Sequence, residues 1–288
     1  MIIPRYWAKG QATGTDRHGK QFSISRWGWS NQNENDAELQ GRRAAQTAVD
    51  RIQQGMRLDS YWYGQRTLRE EILQEYCAPS GRSVAVITRN AYGCEVLNSP
   101  EAMFIDLDQP EIPLTEKARS FFDKLTGKSD VSASSQAEMD ILTKTHQFID
   151  KHPNWGFRVY RTFAGFRCLA THTTFDPSSE QVNEILQTLD SDPLYIRLCQ
   201  AQKSFRARLT PKPWRCGHHA NIIQFPHQNK EADAEFDKWI KQYQQRIESF
   251  ATCRLIAIIG NARIHNDLQI IVDIHDQRTR AATDMRLA

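Results

Sequence analysis

The sequence predicts an α+β fold, an antiparallel-rich sheet around a split βαβ core with flanking helices. Two observations carry this prediction. Runs rich in β-branched and aromatic residues come in adjacent pairs, and stretches of helical period separate the pairs instead of alternating with single strands. A third supports it: 40% hydrophobic and 25% charged residues over 288 positions suffice for a sizeable core and argue against wholesale disorder.

Residues 4–29 read as two strands around a polar turn at 13–20, with Phe22, Ile24 and Trp27 in the second. A helix follows over 36–54, with Gly41, Ala45, Ala48 and Ile52 on one face, Asn35 or Asp36 as N-cap and Gly55 as the stop. Tyr61 to Gly64 reads as an aromatic loop and Leu68 to Tyr76 as a short amphipathic helix. Val84 to Thr88, Tyr92 to Leu97 and Ala102 to Asp108 are three expected neighbouring strands. A helix over Leu114 to Leu125 runs into a Ser-rich stretch, GKSDVSASSQA, read as an exposed loop.

Beyond it come a helix near 136–151, strands at 157–162 and 166–172 joined through Ala164 and Gly165, helices at 178–189 and 193–202, and a strand at 205–209. Phe236, Trp239, Ile240, Tyr243 and Ile247 mark another helix, followed by strands at 253–260 and 268–274 and a closing helix. The expected organisation is an N-terminal hairpin–helix lobe (1–80), a catalytic core (81–217) and a C-terminal helix–strand–strand–helix (218–288).

The net charge of +3 is too mild to announce a nucleic-acid partner by itself. Six cysteines stand singly and read as reduced thiols, and no apolar run reaches the ~20 residues of a membrane span, so a cytoplasmic location without membrane contact is expected.

The sharpest chemical feature is MFIDLD. On a strand, side chains two apart share a face, so Asp106 and Asp108 stand ~6–7 Å apart while Ile105 and Leu107 enter the core. Such a pair suits Mg²⁺ or Mn²⁺ completed by substrate phosphates. The plainer reading is the wet end of a strand before Gln109 and Pro110. A hairpin with Arg161, Thr162 and Arg167 around Gly165 offers charge-assisted contacts to phosphate, or simply exposed arginines.

Residues 197–215 hold Arg197, Lys203, Arg206, Arg208, Lys212 and Arg215 with no acid among them, interleaved with Phe205 and Trp214. This run reads as a strip that cannot be neutralised internally, with Arg206 and Arg208 as an anion fork, or as a solvated basic edge. Asp192 is a third carboxylate candidate and equally a helix N-cap before Pro193. Cys216, His218 and His219 are metal-capable but lack a spaced partner pair, so zinc is not expected.

A hydrophobic-D-x-D strand, an R-T-x-x-G hairpin and a later Asp followed by F-R-x-x-x-x-x-K occur in that order over 84–215. The combination resembles the archaeo-eukaryotic primase superfamily, which includes primase-polymerases. The resemblance implies an RRM-like or primase-like core and metal-dependent nucleotidyl transfer from a nucleoside triphosphate on a DNA or RNA template. It makes Asp106 and Asp108 catalytic metal ligands with Asp192 a third, and sets Arg161, Thr162, Arg206 and Lys212 against triphosphate or template. Arg167 stands where such enzymes place a histidine, and His172 is five residues further on. A non-catalytic module binding single-stranded nucleic acid is the alternative, with stacking on Phe205 or Trp214. A phosphohydrolase with Asp106 as nucleophile ranks third, because Gln109 and Pro110 follow the acidic pair.

Overall fold

In the computed structural model, which describes residues 1–56, 67–108 and 131–288, the chain is an α+β protein whose main sheets are antiparallel. The side chains of Asp108 and of residues 131–135 lie outside that description, as do the expected aromatic loop at 61–64 and helix at 114–125.

The N-terminal strands β1 (Tyr6–Thr15) and β2 (Gln21–Ser30) form the expected hairpin, and α1 (Glu34–Gln53) lies across one face. Asn33 caps α1 by accepting from Asp36 N, so the helix starts two residues earlier than the sequence suggests. Helix and hairpin touch backbone to backbone. A Cβ on Gly28 would stand 2.1 Å from Ala37 O, and one on Gly10 1.9 Å from Arg42 N, so neither position tolerates a side chain. Ile24, Ala45, Ala48 and Val49 fill the small core that results.

One four-stranded sheet has the order β3 (Glu71–Cys77), β4 (Ser83–Arg89), β5 (Glu95–Ser99), β9 (Phe205–Arg208). A second has the order β11 (Cys253–Gly260), β7 (Gly156–Thr162), β8 (Gly165–Ala170), β6 (Phe104–Asp108). Every neighbouring pair in both is antiparallel. A single core runs from Ala85 to Ala281 and takes side chains from both sheets, from α2 (Val131–Lys151), α3 (Glu180–Thr188) and α4 (Pro193–Gln202), and from α6 (Gln269–Thr279). Helix α5 (Lys230–Ile247) builds a satellite core of Phe236, Trp239 and Tyr243 with Cys216. The chain ends in β12 (Arg286–Leu287), parallel to β10 (Phe250–Ala251), and not in a helix.

Four further expectations are corrected. Residues 71–77 form a strand and not a helix: bulges against β4 shift the register, so that Leu73 and Tyr76, three apart, both reach the core and imitate a helical period. Residues 269–279 form a helix and not a strand, with Ile271, Val272, His275 and Thr279 buried at helical spacing inside what looks like a short apolar run. Strands β4 and β5 are neighbours, but β6 leaves them for the second sheet. Helix α2 begins at Val131, within the Ser-rich stretch. Among the described residues no helix is long and apolar enough to cross a membrane.

Candidate functional site

Asp106 lies on β6, directly opposite Arg167 on β8, which in turn faces Tyr160 on β7. Directly opposed residues of antiparallel strands share a face, so these three side chains project together. The other face carries Ile105, Phe157 and Cys168, which pack towards Ile141 of α2. The free edge of β6 is pinned: Asp192 N and Ser191 Oγ donate to Asp106 O at 3.0 and 3.2 Å, and Tyr195 Oη donates to Phe104 O at 3.0 Å.

The Asp106 side chain is 38% exposed, and Arg167, at 5%, is buried behind it with Nε 4.0 Å from Oδ1. An Arg guanidinium can only donate. Arg167 Nη1 is bonded to Arg208 O at 3.0 Å and lies 3.3 Å from His275 Nε2, so that His275 nitrogen is the unprotonated acceptor. The proton of His275 therefore sits on Nδ1, 3.0 Å from Asp276 Oδ1. Tyr160 Oη donates to the same carboxylate at 2.7 Å, and Arg158 pairs with it through Nη2 at 2.5 Å. A continuous polar chain thus runs from the half-open Asp106 through Arg167 and His275 to Asp276.

Burial drives the charges in this chain. The His275 ring is fully enclosed, and burial, with the nearby Arg167 guanidinium adding to it and Asp276 opposing, brings its pKa down to about 4. Tyr160 is pushed up by burial and by Asp276. Asp276 is held below the ordinary carboxyl value by its bonds to His275 and Tyr160, which outweigh its burial. Arg208, half-buried, is lowered by burial and by Arg167, with Asp106 opposing. Its Nη1 donates to Thr210 O at 3.1 Å, and it has no carboxylate within ion-pairing distance among the described residues.

The other sequence candidates divide. Arg206 is neutralised inside the fold, against the expectation for the basic run: Nη2 bonds both Glu70 oxygens at 2.7 and 2.9 Å and Nη1 bonds Asn98, with both charged side chains under 10% exposed. It and Arg208 do not form an open fork. Arg161 alternates onto the opposite face from Arg167 and pairs with Glu138 of α2 at 3.0 Å. Thr162, half-buried, lies at the end of β7 opposite Cys253. Asp192 caps α4, its Oδ1 accepting from Leu194 N at 2.9 Å, while its backbone touches Asp106. Lys212 sits with Nζ 5.6 Å from the Trp214 ring, and Arg215 stacks 4.4 Å over Phe163 at the β7–β8 turn, which ties the basic segment to the hairpin. Asp108 pairs through its backbone with Gly165. The Cys216 thiol is turned to Pro213 O at 3.1 Å and raised by burial.

Among the described residues no group of three His, Cys, Asp or Glu side chains converges on a metal position. Asp106 still offers hard oxygens to solvent from the middle of β6, a donor set that fits Mg²⁺ or Mn²⁺ taking one or two carboxylates and completing its shell with phosphate and water. Sequence reading missed His275, Asp276 and Glu70. The only available signal for the first two was a His-Asp pair ending an otherwise apolar run, IIVDIHD.

Compared with family models, curated proteins and solved structures, the chain matches none of them.

Proposed function

We propose that the protein carries out divalent-metal-dependent nucleotidyl transfer of the primase-polymerase type, on a split βαβ core, using a nucleoside triphosphate and a nucleic-acid template. The order in which β8 lies between β6 and β7, the two strands that flank α2, supports that core. The observation that carries the functional reading is the meeting of a half-exposed Asp106 with buried Arg167, which is itself bonded to the backbone of half-buried Arg208, drawn from three distant stretches of chain. Six unpaired thiols suit a reducing, cytoplasmic setting.

Asp106 and Asp108 would hold the metal, which when bound neutralises phosphate charge and aligns the attacking hydroxyl. The chain's own part is positioning. Arg167, fixed by its bonds to Arg208 O and His275, stands behind the Asp106 carboxylate with Nε 4.0 Å from Oδ1 and orients it. Arg208 and Lys212 supply positive charge where the pyrophosphate departs. Arg206 has no share in this, because Glu70 and Asn98 occupy it.

A second reading, a non-catalytic module for single-stranded nucleic acid, draws on the Arg167–Asp106 pair, which gives the carboxylate a counter-charge without any ion. Titration with a nucleoside triphosphate and Mn²⁺ separates the two. The expected result is metal-dependent nucleotide binding, and template-directed incorporation, both lost when Asp106→Asn and Asp108→Asn are combined. Unchanged metal and nucleotide affinity in that variant refutes the enzymatic reading.

A further inference from the structure

The N-terminal hairpin has two unlike faces. Gly10, Gly28 and Ile24 face α1, so the alternate residues of each strand face away from it. On that outer face Trp7 lies opposite Trp29, and Lys9 opposite Trp27. Trp7 and Trp27 are half-buried there, Trp7 with its indole nitrogen enclosed, so Trp29 is the ring of the three that faces solvent most. Trp29 remains 36% exposed, a large apolar area for a residue flanked by Ser and Gly.

Two cations lie against the half-buried Trp27. Lys9 Nζ lies 5.1 Å from the Trp27 ring centre, and the Arg69 guanidinium lies 4.5 Å from it. Neither cation has a carboxylate within ion-pairing distance among the described residues. Between Tyr6 and Ser30 the sole acid is Asp16, and its carboxylate is turned back to the amides of His18 and Lys20 at the hairpin tip. Helix α1 is locked to the rear by glycine contacts, so the face is rigid before anything binds.

We infer that the outer face of the β1–β2 hairpin is a platform for single-stranded nucleic acid, in which Trp29 stacks on a base while Lys9 and Arg69, held over Trp27, take adjacent phosphates. Charge complementarity selects this occupant: two cations that form no ion pair among the described residues, held over Trp27 one pleat away from the exposed Trp29, match alternating phosphates and bases, whereas a purely apolar partner would leave both cations unanswered and an acidic one would leave Trp29 without a ring to stack on. The inference rests on the proposed function only for its purpose, which is to bring a strand to the catalytic face. The binding itself needs neither metal nor Asp106.

The test uses the full-length chain and a fluorescein-labelled oligothymidylate of about 20 nucleotides, read by anisotropy over a salt series. Trp29→Ala is expected to weaken binding about tenfold, with Trp29→Phe close to wild type. Lys9→Glu is expected to weaken it and to lower the salt slope by about one or more. Asp106→Asn is expected to bind the oligonucleotide as wild type does, so loss of the catalytic reading would leave this result standing. Melting curves matching wild type establish that each variant folds. The platform is overturned if wild type does not bind the strand, or if Trp29→Ala and Lys9→Glu bind it unchanged. It is also overturned if Trp29→Ala instead dissolves a self-associated dimer seen in sedimentation.

Discussion

Acidification should loosen this protein first through His275. In the fold its ring is walled by Arg167 from β8, Tyr160 from β7, Cys253 from β11 and Asp276 from its own helix, and it stays neutral down to about pH 4. Unfolded, it titrates near its ordinary value of about 6.5. Between those values the unfolded chain binds the extra proton, so stability is intact above about pH 6.5 and falls as the pH drops towards about 4. At about 1.4 kcal/mol per unit, the full gap is worth about 3 kcal/mol, of which about 2 kcal/mol is gone by about pH 5. Asp276 contributes in the same direction, but its folded value lies below the ordinary carboxyl range, so its share is lost only at still lower pH. The assay is urea unfolding at a series of pH values for wild type and for His275→Gln, whose amide can accept from Arg167 and donate to Asp276 without titrating. Wild type should lose about 2 kcal/mol relative to the variant between about pH 7.5 and about pH 5. Parallel curves for the two proteins would refute the assignment of a buried neutral ring bonded to Arg167.

Two further outcomes test the fold around the site. Arg206→Met should cost about 3–5 kcal/mol in chemical denaturation, because it strands the buried Glu70, and pairing it with Glu70→Met should recover much of that loss; a single variant as stable as wild type would return Arg206 to the list of ligand-binding candidates. Gly28→Ala places a Cβ against Ala37 O and should destabilise the hairpin–helix contact by about 1–3 kcal/mol or more, seen as faster proteolysis within residues 1–56.

Much of the architecture could be read along the chain where local signals agree. The β1–β2 and β7–β8 hairpins, α1, α3 and α4 each combine a periodic apolar pattern with a cap or turn residue, and Asp192 before Pro193 is such a cap in the structure. Reading failed where tertiary pairing overrode the local pattern. Residues 71–77 look helical because bulges alter the strand period, and residues 269–279 look like a strand because a short apolar run carries no helix signature of its own. The candidate site divides in the same way. An acid on a strand end is visible in F-I-D-L-D, whereas the partner of Arg206 is not, since Glu70 lies 136 residues away.

By itself the sequence determined that most of the hairpins and helices exist, to within a few residues, and which charged residues are available, because those properties depend on neighbours within a few positions. Only the tertiary structure decided what each charge does. Of two arginines on one strand, Arg206 is bound to a buried Glu70 while Arg208 forms no ion pair among the described residues; of two on one hairpin, Arg161 turns to Glu138 while Arg167 lies between Asp106 and His275. The reason is physical. An ion pair depends on distance through space, and the elements that bring these side chains together are set by burial of the whole core, which no short stretch of chain encodes.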